Sequence, residues 1–256
     1  MSLEQAFIAA LDHVNINKIN DKALCQRAIS LIDLTLLDEN TTGQALALLQ
    51  HKANLYQVAA ICVFPDALSR IKSSDTIKRA TVVNFPHGHD PLEKTLRDLE
   101  HIISQHHPDE IDYVFPWENY LKGLHKASLT HCQQTQSLCR KNNIGFKVIL
   151  ETGAFPTAKS IYQLSRELIA IGCDFLKTST GKIPTGATPL AAFSMLKAIK
   201  DSGSSGGIKV SGGIKEPEQA FLYMNLASHM LKRDLDKTWF RIGASSLLDN
   251  LIRYQE

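Results

Sequence analysis

The stretch Phe175-Leu176-Lys177-Thr178-Ser179-Thr180-Gly181-Lys182 sets a lysine near the end of a short apolar run that closes on turn residues. Runs of this length and composition read as buried strands. Some thirty residues on, Gly207-Ile208-Lys209-Val210-Ser211-Gly212-Gly213 repeats the design. The interval between the two suits one helix and its loops, which is the spacing of repeated βα units. An ammonium is expensive to bury alone, so lysine is rare inside a strand core. Two such lysines on successive strands therefore point to a site as well as to a fold.

Working outward, eight segments have the β-branched, apolar character of buried parallel strands: Leu31–Leu37, Val58–Phe64, Arg79–Phe85, Ile111–Phe115, Gly145–Leu150, Cys173–Ser179, Ile208–Ser211 and Trp239–Ile242. Amphipathic stretches with helix-start signals lie between most of them. Asp90-Pro91-Leu92-Glu93 offers an N-cap, a proline at the first helical position and an acid in the first turn, and Thr188-Pro189 does the same before Leu190. Ser2-Leu3-Glu4-Gln5 matches a capping box ahead of an extra N-terminal helix. Eight βα units predict an α/β protein, a closed (β/α)8 TIM barrel spanning residues 1–256 as a single domain. A doubly wound sheet is the competing architecture, but the glycine fingerprint after its first strand is missing.

The length of 256 residues suits such a barrel, and 44% hydrophobic residues support its core. A formal net charge of +2 gives no reason to expect nucleic acid or an acidic membrane as partner. Cys25, Cys62, Cys132, Cys139 and Cys173 are odd in number and show neither CxxC nor zinc spacing, so free thiols in a reducing, cytoplasmic compartment are expected. The N-terminal segment, with Glu4 and Asp12, lacks the pattern of a secretion signal, and no apolar run is long enough to span a bilayer.

In barrels of this kind the reacting groups sit at the C-terminal ends of strands. Asp33 and Thr35 in strand one, Asp112 in strand four, Lys177 and Ser179 in strand six, and Lys209 and Ser211 in strand seven converge on one interior by the two-residue period. At an unperturbed pKa near 10.4 only about 0.04% of a lysine is neutral at pH 7. Desolvation and a second cation both lower that pKa, and Lys209 is placed to be the second cation for Lys177. A neutral lysine amine attacks carbonyl carbon and forms a Schiff base.

Leu31-Ile32-Asp33-Leu34-Thr35, Ala60-Ile61-Cys62-Val63-Phe64-Pro65, Val83-Asn84-Phe85-Pro86-His87-Gly88, Glu110 to Pro116, Lys147-Val148-Ile149-Leu150-Glu151-Thr152-Gly153, Lys177 to Lys182 and Gly243-Ala244-Ser245-Ser246-Leu247-Leu248 follow one another in an order that resembles deoxyribose-phosphate aldolase, a class I aldolase family, through nearly the whole chain. The resemblance implies reversible cleavage of 2-deoxy-D-ribose 5-phosphate to D-glyceraldehyde 3-phosphate and acetaldehyde, with Lys177 as Schiff-base lysine and Asp112 and Lys209 as the proton-transfer pair. It implies no metal and no organic cofactor, and small phosphosugar and aldehyde substrates. Members of that family often pair as homodimers.

A phosphate group needs backbone N–H donors and cations. Gly212-Gly213 and Gly243-Ala244-Ser245-Ser246 occupy the usual phosphate position of a barrel, with Thr180, Gly181 and Lys182 to complete the cradle. Lys215 stands where many relatives carry arginine, and Val210 where they often carry a smaller residue or proline. Asp33 reads as a hydroxyl binder, an orienting group or a structural carboxylate, and Cys62 as an inward packing residue at the mouth. His87-Gly88-His89 has the form of a metal-binding HxH, but no carboxylate or lysine ligand accompanies it in a known arrangement, and a plain loop is expected. Two other functions suit the same frame. A phosphosugar isomerase or epimerase would keep the phosphate loops but use a carboxylate base, and a sugar-phosphate sensor would need neither lysine.

Overall fold

The computed structural model describes residues 2–14 and 22–255. In chain order the elements are α1 (Leu3–Leu11), α2 (Lys22–Ser30), β1 (Ile32–Leu36), α3 (Gly43–Tyr56), β2 (Ala60–Val63), α4 (Pro65–Leu68), β3 (Lys78–Val83), α5 (Leu92–His106), β4 (Glu110–Val114), α6 (Trp117–Leu121), α7 (His125–Lys141), β5 (Gly145–Ile149), α8 (Ala158–Ile171), β6 (Phe175–Lys177), α9 (Pro189–Asp201), β7 (Gly207–Ser211), α10 (Pro217–Leu231), β8 (Phe240–Ala244) and α11 (Leu247–Tyr254). The strands are parallel and close in sequence order, with β1 paired to β8. This is the (β/α)8 barrel expected, and each expected strand is found within two residues at either end.

The strand period divides the core. Leu34, Ile61, Tyr113, Phe146, Val148, Leu176, Ile208, Phe240 and Ile242 face outward into one apolar layer shared with the helices. The alternate positions face the barrel interior, where Cys62, Ala80 and Val82 make a small apolar patch and the charged residues described below fill the rest. Burial on both faces explains why these strands read as almost continuous apolar runs.

Local signals act as the physical chemistry requires, with two corrections. Ser2 accepts the Gln5 N–H while Gln5 Oε1 accepts the Ser2 N–H, which closes the capping box of α1. Phe7 of α1 then packs on Phe193 of α9, ring centroids 5.5 Å apart. Thr188 caps α9 through the Ala191 N–H. Asp90, however, is not the cap of α5. The cap position is Pro91, and the Asp90 carboxylate accepts Lys94 Nζ at 2.8 Å instead. Strand β6 is shorter than the apolar run suggests. Gly172, at φ 91°, ends α8, and the Cys173 N–H is used by the Leu168 carbonyl in that helix terminus. The extra N-terminal helix is present as α1, and α2 adds a second before β1, packed against α10 and α11.

Candidate active site

Register builds the site. Asp112 pairs with Lys147 across β4–β5, Lys177 with Lys209 across β6–β7, and Lys209 with Arg241 across β7–β8. All five point inward and all are buried. Asp112 is the hub. Its Oδ2 accepts Lys177 Nζ at 2.7 Å and Lys209 Nζ at 2.6 Å, and its Oδ1 accepts Lys147 Nζ at 3.1 Å. Asp33 lies against Lys209 Nζ at 2.6 Å and accepts Arg241 Nη1 at 2.6 Å. Glu110, the first residue of β4, accepts Lys147 Nζ at 2.5 Å and Arg241 Nη2 at 2.9 Å. The Arg241 guanidinium also sits over the Phe175 ring, 5.5 Å from its centroid.

Three carboxylates, Asp33, Glu110 and Asp112, thus share the described interior with four bases, Lys147, Lys177, Lys209 and Arg241. Buried charges have to balance, because an unpaired ion in a medium of low dielectric costs several kcal/mol. One base is in excess, and the geometry selects it. Among the described residues Lys209 and Arg241 each touch two carboxylates and Lys147 three, whereas Lys177 touches only Asp112, at an oxygen already bonded to Lys209. Burial lowers the pKa of Lys177, Asp112 opposes that, and the Lys209 charge reinforces it, leaving the group below the ordinary lysine value. Burial also acts to lower Lys209 and Lys147, but Asp112 with Asp33 or Glu110 outweighs it and both end raised. Asp112 is held well below the carboxylate range, because Lys147, Lys177 and Lys209 together exceed the burial that would raise it.

Lys177 is 3% exposed, yet it is the one of the three buried lysines that lines a cavity of about 360 Å³ at the C-terminal ends of the strands. Thr35, Thr180, Gly181, Lys182, Gly212, Gly213, Gly243 and Ser245 also line it, with Lys215 at the rim. Gly243 is inward on β8, and a Cβ there would come within 3.0 Å of Lys209 Cε and 2.9 Å of Ser211 Cβ. Lys182 Nζ donates to the Leu37 carbonyl at 2.9 Å, which ties the β6 loop to the β1 loop across the opening.

Other expected residues lie elsewhere. Asp33 is fully buried beneath the cavity, ion-paired to Lys209 and Arg241, so it braces the lysine and does not face the opening. Cys62 is sealed in the interior, its Sγ 4.0 Å from Asp112 Oδ2, and burial with the Asp112 charge pushes the thiol up to about 11. Ser246 is the cap residue of α11. His87 and His89 stack at 5.5 Å, and His89 Nε2 lies 3.0 Å from Glu118 Oε1. Among the described residues no cluster of three or more His, Cys, Asp or Glu is placed to hold a metal ion. Missing from the sequence-based site are Glu110, Lys147 and Arg241; Lys147 and Arg241 are charges inside apolar runs, the same signal that marks Lys177, whereas Glu110 lies just ahead of the run Ile111–Phe115.

Fold and family place the chain among barrel enzymes of the aldolase class. The chain belongs to the DeoC/LacD family of aldolases, whose model it matches over residues 27–250. Solved structures agree on the fold. A deoxyribose phosphate aldolase from Aeropyrum pernix, described as a unique tetramer, superposes with a TM-score of 0.76 at 24% identity, over 100% of this chain and 99% of its own. A protein from Coccidioides immitis, provisionally assigned as a deoxyribose-phosphate aldolase, gives 0.80 at 21% identity, again over 100% and 99%. One from Toxoplasma gondii ME49, assigned in the same way, gives 0.79 at 20%, over 91% and 94%. No helix among the described residues is long and apolar enough to cross a membrane.

Proposed function

We propose that the protein cleaves 2-deoxy-D-ribose 5-phosphate reversibly to D-glyceraldehyde 3-phosphate and acetaldehyde through an imine on Lys177. The observation behind this reading is the surplus base. A barrel interior with four basic groups and three carboxylates favours one neutral amine, and the amine with the fewest partners is the one that reaches the cavity. An isomerase or epimerase would have no use for that arrangement.

Neutral Lys177 attacks C1 of the open-chain aldehyde, and loss of water leaves a protonated imine. Asp112, through a bound water, takes the proton of the C3 hydroxyl. The C3–C4 bond breaks, its electrons pass into the imine as an enamine, and glyceraldehyde 3-phosphate departs. The enamine then takes a proton at carbon, and water releases acetaldehyde and restores the amine. Lys209, 2.6 Å from Asp112, keeps that carboxyl ionised between turnovers and is the near cation that keeps Lys177 depressed. The phosphate is held by Lys182, Lys215, Ser245 and the backbone of Gly212 and Gly213. Here Lys215 offers a point charge in place of an arginine fork.

Borohydride reduction in the presence of acetaldehyde, followed by peptide mass spectrometry, tests this. A reduced two-carbon adduct on Lys177 is the expected result. Absence of an adduct, or label spread over surface lysines, would refute it.

A further inference from the structure

The loop between β6 and α9, residues 178–188, forms one wall of the cavity through Thr180, Gly181 and Lys182. These described residues form neither helix nor strand, so their shape is set from outside the loop. At the far end the Ala187 N–H donates to the carbonyls of Ser211 and Gly212, at 3.1 and 3.0 Å. Gly186 is so close to the next loop that a Cβ on it would lie 2.2 Å from the Gly212 oxygen. At the near end the anchor is Glu151, which follows β5. Its Oε1 accepts the Thr180 N–H at 3.2 Å and its Oε2 accepts the Thr180 hydroxyl at 2.5 Å. Thr180 Oγ1 in turn accepts the Lys182 N–H at 3.0 Å, so one carboxylate fixes three consecutive cavity residues.

The cost of placing Glu151 there argues for a purpose. It is 1% exposed, and its φ of 58° lies in the left-handed region that residues with a Cβ seldom adopt. Burial raises its carboxyl pKa, against the Thr180 hydrogen bonds and the charges of Lys177 and His87. A glycine would satisfy the backbone, whereas only a long acceptor satisfies Thr180.

We propose that Glu151 is a positioning residue, which holds Thr180-Gly181-Lys182 in the form that receives the phosphate end of the substrate. This rests on the phosphosugar reading above. Glu151 acts through Thr180 and leaves the bond-breaking chemistry to Lys177, Asp112 and Lys209.

The experiment compares Glu151→Ala, Glu151→Gln and Thr180→Val with the unaltered protein. Glu151→Ala and Thr180→Val should raise KM for deoxyribose 5-phosphate about tenfold with kcat within about threefold, and Glu151→Gln, which keeps an acceptor, should stay within about threefold in both. Borohydride trapping of acetaldehyde, which has no phosphate, should change less than about twofold in Glu151→Ala and Glu151→Gln. Without any substrate, tryptic cleavage after the exposed Lys182 should quicken about tenfold in Glu151→Ala and Thr180→Val and hardly at all in Glu151→Gln. Unchanged cleavage in the folded variants overturns the proposal, as does a loss of kcat and trapping equal to the rise in KM. If the unaltered protein does not turn over the phosphosugar, the functional reading falls, and the trypsin measurement still decides whether Glu151 holds the loop.

Discussion

Replacing Lys209 by methionine takes one cation out of the barrel and leaves a side chain of similar reach. Lys209 and Lys177 donate to the same oxygen of Asp112, at 2.6 and 2.7 Å, so their Nζ atoms are at most about 5.3 Å apart. Two unit charges at about 5 Å repel by about 3 kcal/mol at an effective dielectric of about 20. That repulsion corresponds to about two pH units in the pKa of Lys177. A second effect has the same sign, because Asp112, relieved of Lys209, directs more of its charge at Lys177. Only the neutral amine attacks a carbonyl, so adduct formation rises with pH through the Lys177 pKa. Lys209→Met should move that rise upward by about two pH units and cut the trapping rate at pH 7 about 100-fold. The measurement is the initial rate of borohydride-trapped acetaldehyde adduct from about pH 6 to 10. Trapping is preferred to kcat because it isolates the amine from any later proton transfer by Lys209. An unchanged midpoint, or one that moves down, would refute the charge argument.

Three further outcomes follow from the same geometry. Lys147→Met should cost about 3 kcal/mol of stability by leaving Glu110 and Asp112 short of a buried partner, whereas Lys177→Met should change it by less than about 1 kcal/mol, as read by urea denaturation. Equal losses would mean that both lysines are held as ions. Gly243→Ala puts a methyl within 3.0 Å of Lys209 Cε, and it should lower trapping at least about tenfold while circular dichroism stays unchanged. Asp33 and Asp112 are depressed in the folded protein, so the stability they contribute is whole above their ordinary value of 3.8 and is lost as pH falls below it. The urea midpoint should hold between about pH 6 and 5 and drop below about pH 4, and a flat midpoint down to about pH 3 would contradict that linkage.

The barrel was legible because its signal is repeated. Eight apolar runs of the right length survive errors at their ends, and at both misjudged ends of β6 a hydrogen bond outside the strand ladder is made. Cys173 gives its N–H to a helix terminus, and Thr178 gives its hydroxyl to the Ser211 carbonyl. Lys177, Asp112 and Lys209 were legible for a related reason, since each breaks an apolar strand. Lys147 and Arg241 break theirs equally, but sequence position does not separate an ion that holds the interior together from one that reacts, and Glu110 precedes the run Ile111–Phe115 and so carries no such signal. Asp33 could not be assigned from sequence because a carboxylate under a cavity and one facing it share the same strand period. What separates them is Arg241, which is 208 residues away in the chain and 2.6 Å away in space. Glu151 left no periodic trace, because its role depends on a loop conformation that composition does not encode.

The choice of Lys177 as the uncharged base also follows from where each competitor would leave a carboxylate. Were Lys147 to give up its proton, then among the described residues Glu110 would keep only Arg241 and Asp112 would lose its one partner at Oδ1. Were Lys209 to do so, Asp33 and Asp112 would both lose a contact of 2.6 Å, and Asp33 would depend on Arg241 and on Lys147 at 3.9 Å. Loss of the Lys177 proton leaves Asp112 with two cations, Lys147 and Lys209, and leaves Asp33 and Glu110 untouched. Deprotonation therefore costs least at the one of these buried amines that borders the cavity, and the same ion pairs that hold the interior together determine which nitrogen is free to react.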